Sequence, residues 1–318
     1  MDVSIIIVNW NTRELLLNCL SSVLATTSGL AIETIVVDNG SQDGSSEAVR
    51  KEFPGVTIIQ NDRNRGFARA NNQALAGAAG RYFLLLNSDA VLTEGSLQGL
   101  VSFMDRTPEA GVAACQYIDT DGSRQNSFDN FPTLATELFN KTILKLLFPA
   151  RYPSKRRVYR EPVEVDSVIG ACMLVRAEAV RTVGVLDEDY FFFLEETDWC
   201  YRMRRAGWRV YHLPGILVYH LQGKSKEKSP VKAWIEYYRS LYLFFKKNRS
   251  ALSYYVLRTG KVLKLALNLL LVSAGTGCTL GMNKGLVRHF RIYGGLLRWH
   301  LKGCPRDGGL AVGEKIRT

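Results

Sequence analysis

The chain has 318 residues, of which 47% are hydrophobic and 22% charged. These fractions sit at the globular norm and exclude wholesale disorder, collagen-like and coiled-coil classes, while the length allows two average domains or one large one. The net charge of +11 is unevenly placed: residues 231–318 hold 16 Lys/Arg against 3 Asp/Glu, which leaves 25 against 27 in residues 1–230. A slightly acidic body carries a basic tail, so any nucleic-acid or membrane partner belongs to the tail.

Cys19, Cys115, Cys172, Cys200, Cys278 and Cys304 form no CxxC pair, and most lie in apolar surroundings. They read as buried free thiols in a reducing compartment, against a zinc site or disulfide frame. Asp2 stands where a signal peptide would be basic, and the apolar run at residues 5–8 is too short for one, so the body is expected in the cytoplasm.

Residues 3–8 (VSIIIV) read as a fully buried strand. Asn11 is expected to cap a helix, with Glu14 three residues on and Leu16, Leu20, Val23 and Leu24 on one face. Strands follow at 34–38 (TIVVD), 56–60 and 81–86 (RYFLLL), separated by an alanine-rich helix over 67–79. A helix over 93–105 leads to a strand from Val112 and a turn at Asp121-Gly122. Strands alternating with helices predict an α/β domain with a mostly parallel sheet covered on both faces. Ligands bind such sheets beyond the carboxyl ends of the strands, where the polar clusters 9–12, 38–43 and 87–89 fall.

Residues 128–163 have little periodicity and a basic run at 151–160, and read as a loop-and-helix insertion. A strand is expected at 170–175, a helix at 195–205 opening on acids and closing on arginines, and two short strands at 209–213 and 216–219. From Val231 the composition shifts. Trp234, Tyr238, Leu241, Tyr242 and Phe245 mark one helix face. Residues 265–283 form a 19-residue stretch without charge, yet only 11 of them are apolar, which is marginal for a membrane span of about 20. Aromatics interleaved with Lys/Arg around it suit an interfacial helix, so 1–230 is expected to form one domain and 231–318 a membrane-associating extension.

Four constellations can carry chemistry. In residues 38–45 (DNGSQDGS) two acids end a buried strand, and the glycines let backbone N–H groups approach a ligand; turn chemistry alone also explains the composition. That stretch holds no GxGxxG, which disfavours the common dinucleotide mode. Asn87-Ser88-Asp89 exposes a carboxylate suited to a hard cation, or simply starts the next helix. Glu195-Glu196-Thr197-Asp198 follows an aromatic run, Tyr190 to Phe193; apolar neighbours raise carboxylate pKa values and favour a general base, whereas acids at a helix start are also plain dipole partners. His220 ends a strand and is a metal-ligand candidate or a structural histidine.

Taken in order, VSIIIVNWN, VVDNGSQDGS, NRGFARANN, LLLNSDA, VDSVIGACMLVRAEAV, FFFLEETDWCYRMRRAGWRV and VYHLQGKS resemble the family 2 glycosyltransferases, and most closely their rhamnosyltransferase-like branch in cell-envelope polysaccharide synthesis. The resemblance spans residues 3–225. It implies a GT-A fold that binds a nucleotide-sugar and a divalent cation, Mg²⁺ or Mn²⁺. By position, Asp38 resembles the acid that contacts the base, Val8, Asn9 and Asn11 the lining of the same nucleoside pocket, and Asp43 the support of its loop. Asn64, Gly66 and Asn72 resemble the segment along the diphosphate and sugar. Asn87 and Ser88 stand with Asp89 where the family has DxD; Asn87 replaces the first acid, so metal binding leans on Asp89 and on His220, the second metal contact. Gly170 and Ala171 resemble the strand facing sugar and acceptor. Glu195-Glu196 stands where the family often has Glu-Asp, which makes Glu196 the expected general base and Asp198 the second choice.

The family inverts, so the expected reaction is one in-line displacement on a nucleotide-sugar, with dTDP-rhamnose the leading donor and UDP sugars next. The acceptor is a saccharide or lipid-linked saccharide at the inner face of the cytoplasmic membrane, with the basic tail on anionic lipid. Three rivals stand beside this. A sugar nucleotidyltransferase would carry a Gly-rich basic loop after the first strand, and Asn9-Trp10-Asn11 is not one. A non-catalytic saccharide- or lipid-binding relative is the second. A nucleic-acid binder is disfavoured, because the positive charge tracks a greasy segment.

Overall fold

The computed structural model describes residues 1–26, 29–148, 159–221, 230–279, 282–305 and 308–310. Strands and helices alternate from the start: β1 (Val3–Asn9), α1 (Arg13–Thr26), β2 (Ile32–Asp38), α2 (Ser45–Glu52), β3 (Thr57–Gln60), α3 (Phe67–Leu75) and β4 (Tyr82–Asn87). β5 (Ala90–Leu92), α4 (Ser96–Arg106) and β6 (Ala110–Ile118) follow. A long excursion then carries β7 (Phe128–Asp129), α5 (Leu134–Leu138), α6 (Lys141–Leu147), β8 (Val163–Glu164) and β9 (Ser167–Val168). β10 (Cys172–Arg176), α7 (Ala177–Val183), α8 (Glu195–Arg205) and β11 (Arg209–His220) precede three long helices, α9 (Pro230–Asn248), α10 (Ala251–Cys278) and α11 (Lys284–Leu301).

The main sheet runs β3-β2-β1-β4-β10-β6-β11-β5, with β8 added on β11. β1, β2, β3 and β4 are parallel, β10 is antiparallel to both β4 and β6, and β11 is parallel to β6. Burial explains why the central strands are continuous apolar runs. Successive side chains face opposite sides, and each side has its own core. Ile5, Ile7, Leu84 and Leu86 pack under α1 and α4 with Leu16, Leu20, Leu100 and Met104. Ile6, Phe83 and Leu85 pack on the other face with Ala70, Ala74, Trp199 and Met203 of α3 and α8. Cys19, Cys115, Cys172 and Cys200 are free and buried, as expected.

Several local expectations change. Asn11 does not cap α1: it has φ 54° and its side-chain oxygen accepts from the Gln42 N–H at 2.8 Å. The alanine-rich helix stops at Leu75, where Gly77 and Ala78 fold into turns onto Ala74 and Leu75. The two short strands near residue 215 are one, β11, with its register broken between Leu213 and Leu217, where Pro214 cannot donate. Trp234 is 47% exposed, while Tyr238, Leu241, Tyr242 and Phe245 are buried as the spacing predicts.

The chain divides into two units: residues 1–131, 154–190 and 195–223, and residues 132–153, 191–194 and 224–318. The division differs from the expected boundary at 230, because 132–153 and 191–194 belong with the C-terminal helices. Contacts within that unit give the reason. The Lys261 ammonium meets the Glu137 carboxylate at 2.9 Å with both side chains buried, and Gly260 lies so close to Leu138 that a Cβ would fall 2.7 Å from it. Ser240 donates to the Phe192 carbonyl at 2.9 Å, and Phe193 meets Tyr237 edge-on. Of the basic run at 151–160 only Tyr159 and Arg160 are described, and the Gln222 to Ser225 end of VYHLQGKS lies outside the described residues.

Candidate active site

In the first unit the parallel strands end together, and the loops beyond them interlock through side chains. Asp38, at the end of β2, is buried. Its Oδ1 accepts from Asn9 Nδ2 at 3.1 Å and from the Ser41 hydroxyl, and its Oδ2 accepts from Ser46 at 2.9 Å. A carboxylate has about four acceptor positions, and three are filled here. Asn9, also buried, donates a second bond to Ser41 at 3.0 Å and accepts from Thr12 at 2.7 Å; Thr12 in turn meets Ser88 at 2.9 Å. The three clusters expected at the strand ends are thus one hydrogen-bonded chain. Asn9 brackets this chain, Val8 is partly buried against the second core and Asn11 is exposed.

Asp43 accepts from the Arg13 N–H at 2.9 Å, the Ser45 N–H at 3.1 Å and the Ser45 hydroxyl. Burial alone would raise its carboxyl, but the bonds from Ser45 and Arg13 outweigh it and hold it below the usual range. Gly40 is required: φ is +80°, and a Cβ would sit 2.6 Å from Arg63 Cα. Asn39, which the motif reading passed over, organises the next loop. It donates to Asn64 Oδ1 at 3.0 Å and the Gly66 carbonyl at 3.2 Å, and accepts from Asn61 at 3.1 Å and the Arg65 N–H at 2.9 Å. Asn64 and Gly66 therefore lie where the Asp38 loop can fix them. Asn72 has a different environment: its amide donates to the Leu186 carbonyl and Glu188 and accepts from the Leu186 N–H, closing the loop after α7.

Asp89 and His220 come together across the β5–β11 pair, where His220 is opposite Ala90 and the Leu221 N–H donates to the Asp89 carbonyl. His220 Nε2 lies 3.5 Å from Asp89 Oδ1, and each side chain is 15% exposed. Two ligands of one hard cation, each about 2.1 Å from it, are about 3 Å apart at a right angle and more when splayed, so this oxygen–nitrogen pair fits one ion. No group of three or more His, Cys, Asp or Glu suited to a metal occurs among the described residues, so further ligands would come from elsewhere.

Because β10 is reversed, its start lies at the carboxyl end of β4, and the Ala171 carbonyl accepts from the Asn87 N–H at 2.9 Å. Gly170 faces Glu196 of α8: a Cβ at Gly170 would be 3.6 Å from Glu196 Cβ and Cγ. Burial raises the Glu196 carboxyl above its ordinary value; the N–H groups of Glu196, Gly170 and Thr197 pull it back, and the charge of Asp129 raises it further. Glu196 Oε2 is buried without a hydrogen-bond partner among the described residues. Glu195 is buried beside it. Asp198 is spent: it pairs with Arg202 at 2.8 Å and accepts from the Tyr190 hydroxyl at 3.3 Å. The aromatic run, from Phe191 on, belongs to the second unit rather than to this carboxylate's unit.

Acids and amides thus gather at the carboxyl edge of a mostly parallel, helix-covered sheet, where α/β folds bind their ligands. The chain belongs to glycosyl transferase family 2, whose model matches residues 4–184. It is 29% identical over 235 residues to the N-acetylglucosaminyl-diphospho-decaprenol L-rhamnosyltransferase of Mycobacterium tuberculosis, covering 69% of this chain and 76% of that one. It is 27% identical over 194 residues to the rhamnosyltransferase WbbL of Escherichia coli, covering 58% and 71%. Among solved structures, the mannosyltransferase PcManGT of Pyrobaculum calidifontis, in complex with GDP-Man and Mn²⁺, aligns with TM-score 0.58 at 16% identity over 94% of this chain and 86% of that one. GalNAc-T7 with UDP, GalNAc and Mn²⁺ aligns with TM-score 0.53 at 18% identity, covering 78% and 50%. The GT-A fold expected from the motifs therefore holds, and the protein is a family 2 glycosyltransferase.

Proposed function

We propose that the protein moves a rhamnose from dTDP-rhamnose to a saccharide or lipid-linked saccharide acceptor, with inversion. The observation that carries the reading is Glu196: a carboxylate at a helix start, raised by burial, with one oxygen unpartnered among the described residues. In one displacement the acceptor oxygen bonds to the anomeric carbon as the bond from that carbon to the diphosphate oxygen breaks, and Glu196 takes the acceptor's proton. Asp38, Asn9 and Ser41 hold the loop for the nucleoside, and Asn39 holds Asn64 and Gly66 for the diphosphate. A divalent cation held by Asp89 and His220 would supply the positive charge that stabilises the leaving diphosphate. The rhamnosyl donor rests on the two rhamnosyltransferase relatives. Screening sugar nucleotides for Mg²⁺- or Mn²⁺-dependent hydrolysis by the purified protein tests it. dTDP-rhamnose should turn over fastest, and preference for another donor, or none, overturns it.

The second unit supports attachment to the inner face of the cytoplasmic membrane. α10 is long and apolar enough by composition to cross a bilayer. Its first half, however, carries Arg258, Lys261 and Lys264, and the uncharged helix from 265 to 278 is only about 21 Å long against a core of about 30 Å. Leu263, Leu267, Leu270 and Leu271 are more than half exposed, which suits a helix lying in the interface. Sedimentation with anionic and neutral vesicles checks this; equal binding to both, or none, ends it.

A further inference from the structure

Gln125 lies in the excursion after β6, a segment no motif singled out. Its backbone is fixed: its N–H donates to the Tyr117 carbonyl at 2.9 Å, and its carbonyl accepts from Gln116 Nε2 at 2.8 Å. Its side-chain amide closes a ring on His220. Nε2 donates to the His220 carbonyl at 2.7 Å, and Oε1 lies 3.1 Å from His220 Nδ1. A carbonyl only accepts, so the contact at 2.7 Å orients the amide, and Oε1 must be the atom facing the ring. An amide oxygen also only accepts, so Nδ1 carries the ring proton. In neutral His220 the lone pair is then on Nε2, the atom 3.5 Å from Asp89 Oδ1. The Tyr117 ring, 5.5 Å from the imidazole, packs beside it. Tyr117 is itself tied to the start of β10 by its hydroxyl, which donates to the Ile169 carbonyl at 2.5 Å and accepts from the Cys172 N–H at 3.0 Å.

We infer that Gln125 is the positioning residue that sets the His220 tautomer and aims Nε2 with Asp89 at a divalent cation. This rests on the proposed metal role of the pair. A carbonyl-type acceptor behind a ligating imidazole fixes its orientation and raises its basicity, and losing such a partner typically costs about 10–100-fold in metal affinity.

Nitrogen-15 NMR of the metal-free protein reads the tautomer directly. The chain has four histidines, so His220 is assigned by its absence in His220→Ala. The wild type should show protonated Nδ1, and Gln125→Leu should lose that preference; protonated Nε2 in the wild type overturns the inference. Mn²⁺ titration in the presence of dTDP gives the second readout. Gln125→Leu should bind about 10–100-fold more weakly. Wild-type affinity in Gln125→Leu overturns the role. Unchanged affinity in His220→Ala would instead sink the metal reading itself, whereas loss in His220→Ala with none in Gln125→Leu sinks only the part given to Gln125.

Discussion

Two regions of the first unit use the same residue types to opposite ends. Around Asp38 and Asn39 every named carboxylate and amide is tied to donors and acceptors of neighbouring loops. At the start of α8, only Thr197 separates Asp198, ion-paired with Arg202, from Glu196, whose Oε2 is buried and unpartnered among the described residues. Satisfied buried polar groups build a rigid frame, and an unsatisfied one stores reactivity at a cost in stability. Ionisable side chains near a site are thus sorted by their partners, not by their identity.

The comparison breaks first if Glu196→Gln keeps its activity. That variant should lose about 10²- to 10⁴-fold in turnover while donor affinity, measured by calorimetry, stays near wild type. Asp198→Asn should do the reverse. Asp198 is buried while Arg202 is partly exposed, so removing the charge should cost about 1–3 kcal/mol, and chemical denaturation should show that loss of stability whatever remains of activity. Loss of turnover in a fully stable Asp198→Asn would move the base to Asp198. Asn39→Ala strands the partners of its amide and should cost about 1–3 kcal/mol, with weaker nucleotide binding through the freed Asn64 loop.

The smallest effect has the most telling sign. A carboxyl raised by burial favours folding below its ordinary value of 4.5 and gives up that contribution as pH rises through the raised value. Glu196→Gln should therefore melt above wild type at pH 7, with the gap closing towards pH 4. A variant less stable than wild type at pH 7 would show that the ionised carboxylate is a structural partner after all.

Much of this was legible beforehand. Unbroken runs such as VSIIIV could only be strands covered on both faces, and the polar residues after them had to fall on the ligand edge. Roles within the clusters were not legible. Asn9 and Asn72 stand in motif positions expected to face the nucleotide-sugar, and the partners their amides take, Asp38, Ser41 and Thr12 for one and Leu186 and Glu188 for the other, are not written in the motifs. Asn39 lay inside a quoted motif, but its four partners come from a loop more than 20 residues on. His220 reaches Asp89 only through an antiparallel register across 131 residues of chain, which spacing cannot express and which family resemblance alone supplied. The 132–153 segment joined the C-terminal helices through pairs such as Glu137 with Lys261, which no local pattern announces.

The reversed strand β10 has one more consequence. The chain leaves β6 at Ile118 and returns in β10 at Cys172 on the same rim, adding β8 to β11 on the way. Lengthening a loop in this circuit costs little, about 0.6 kcal/mol in closure entropy for each doubling, so loop length between β6 and β10 can change while the β6–β10 pairing stays.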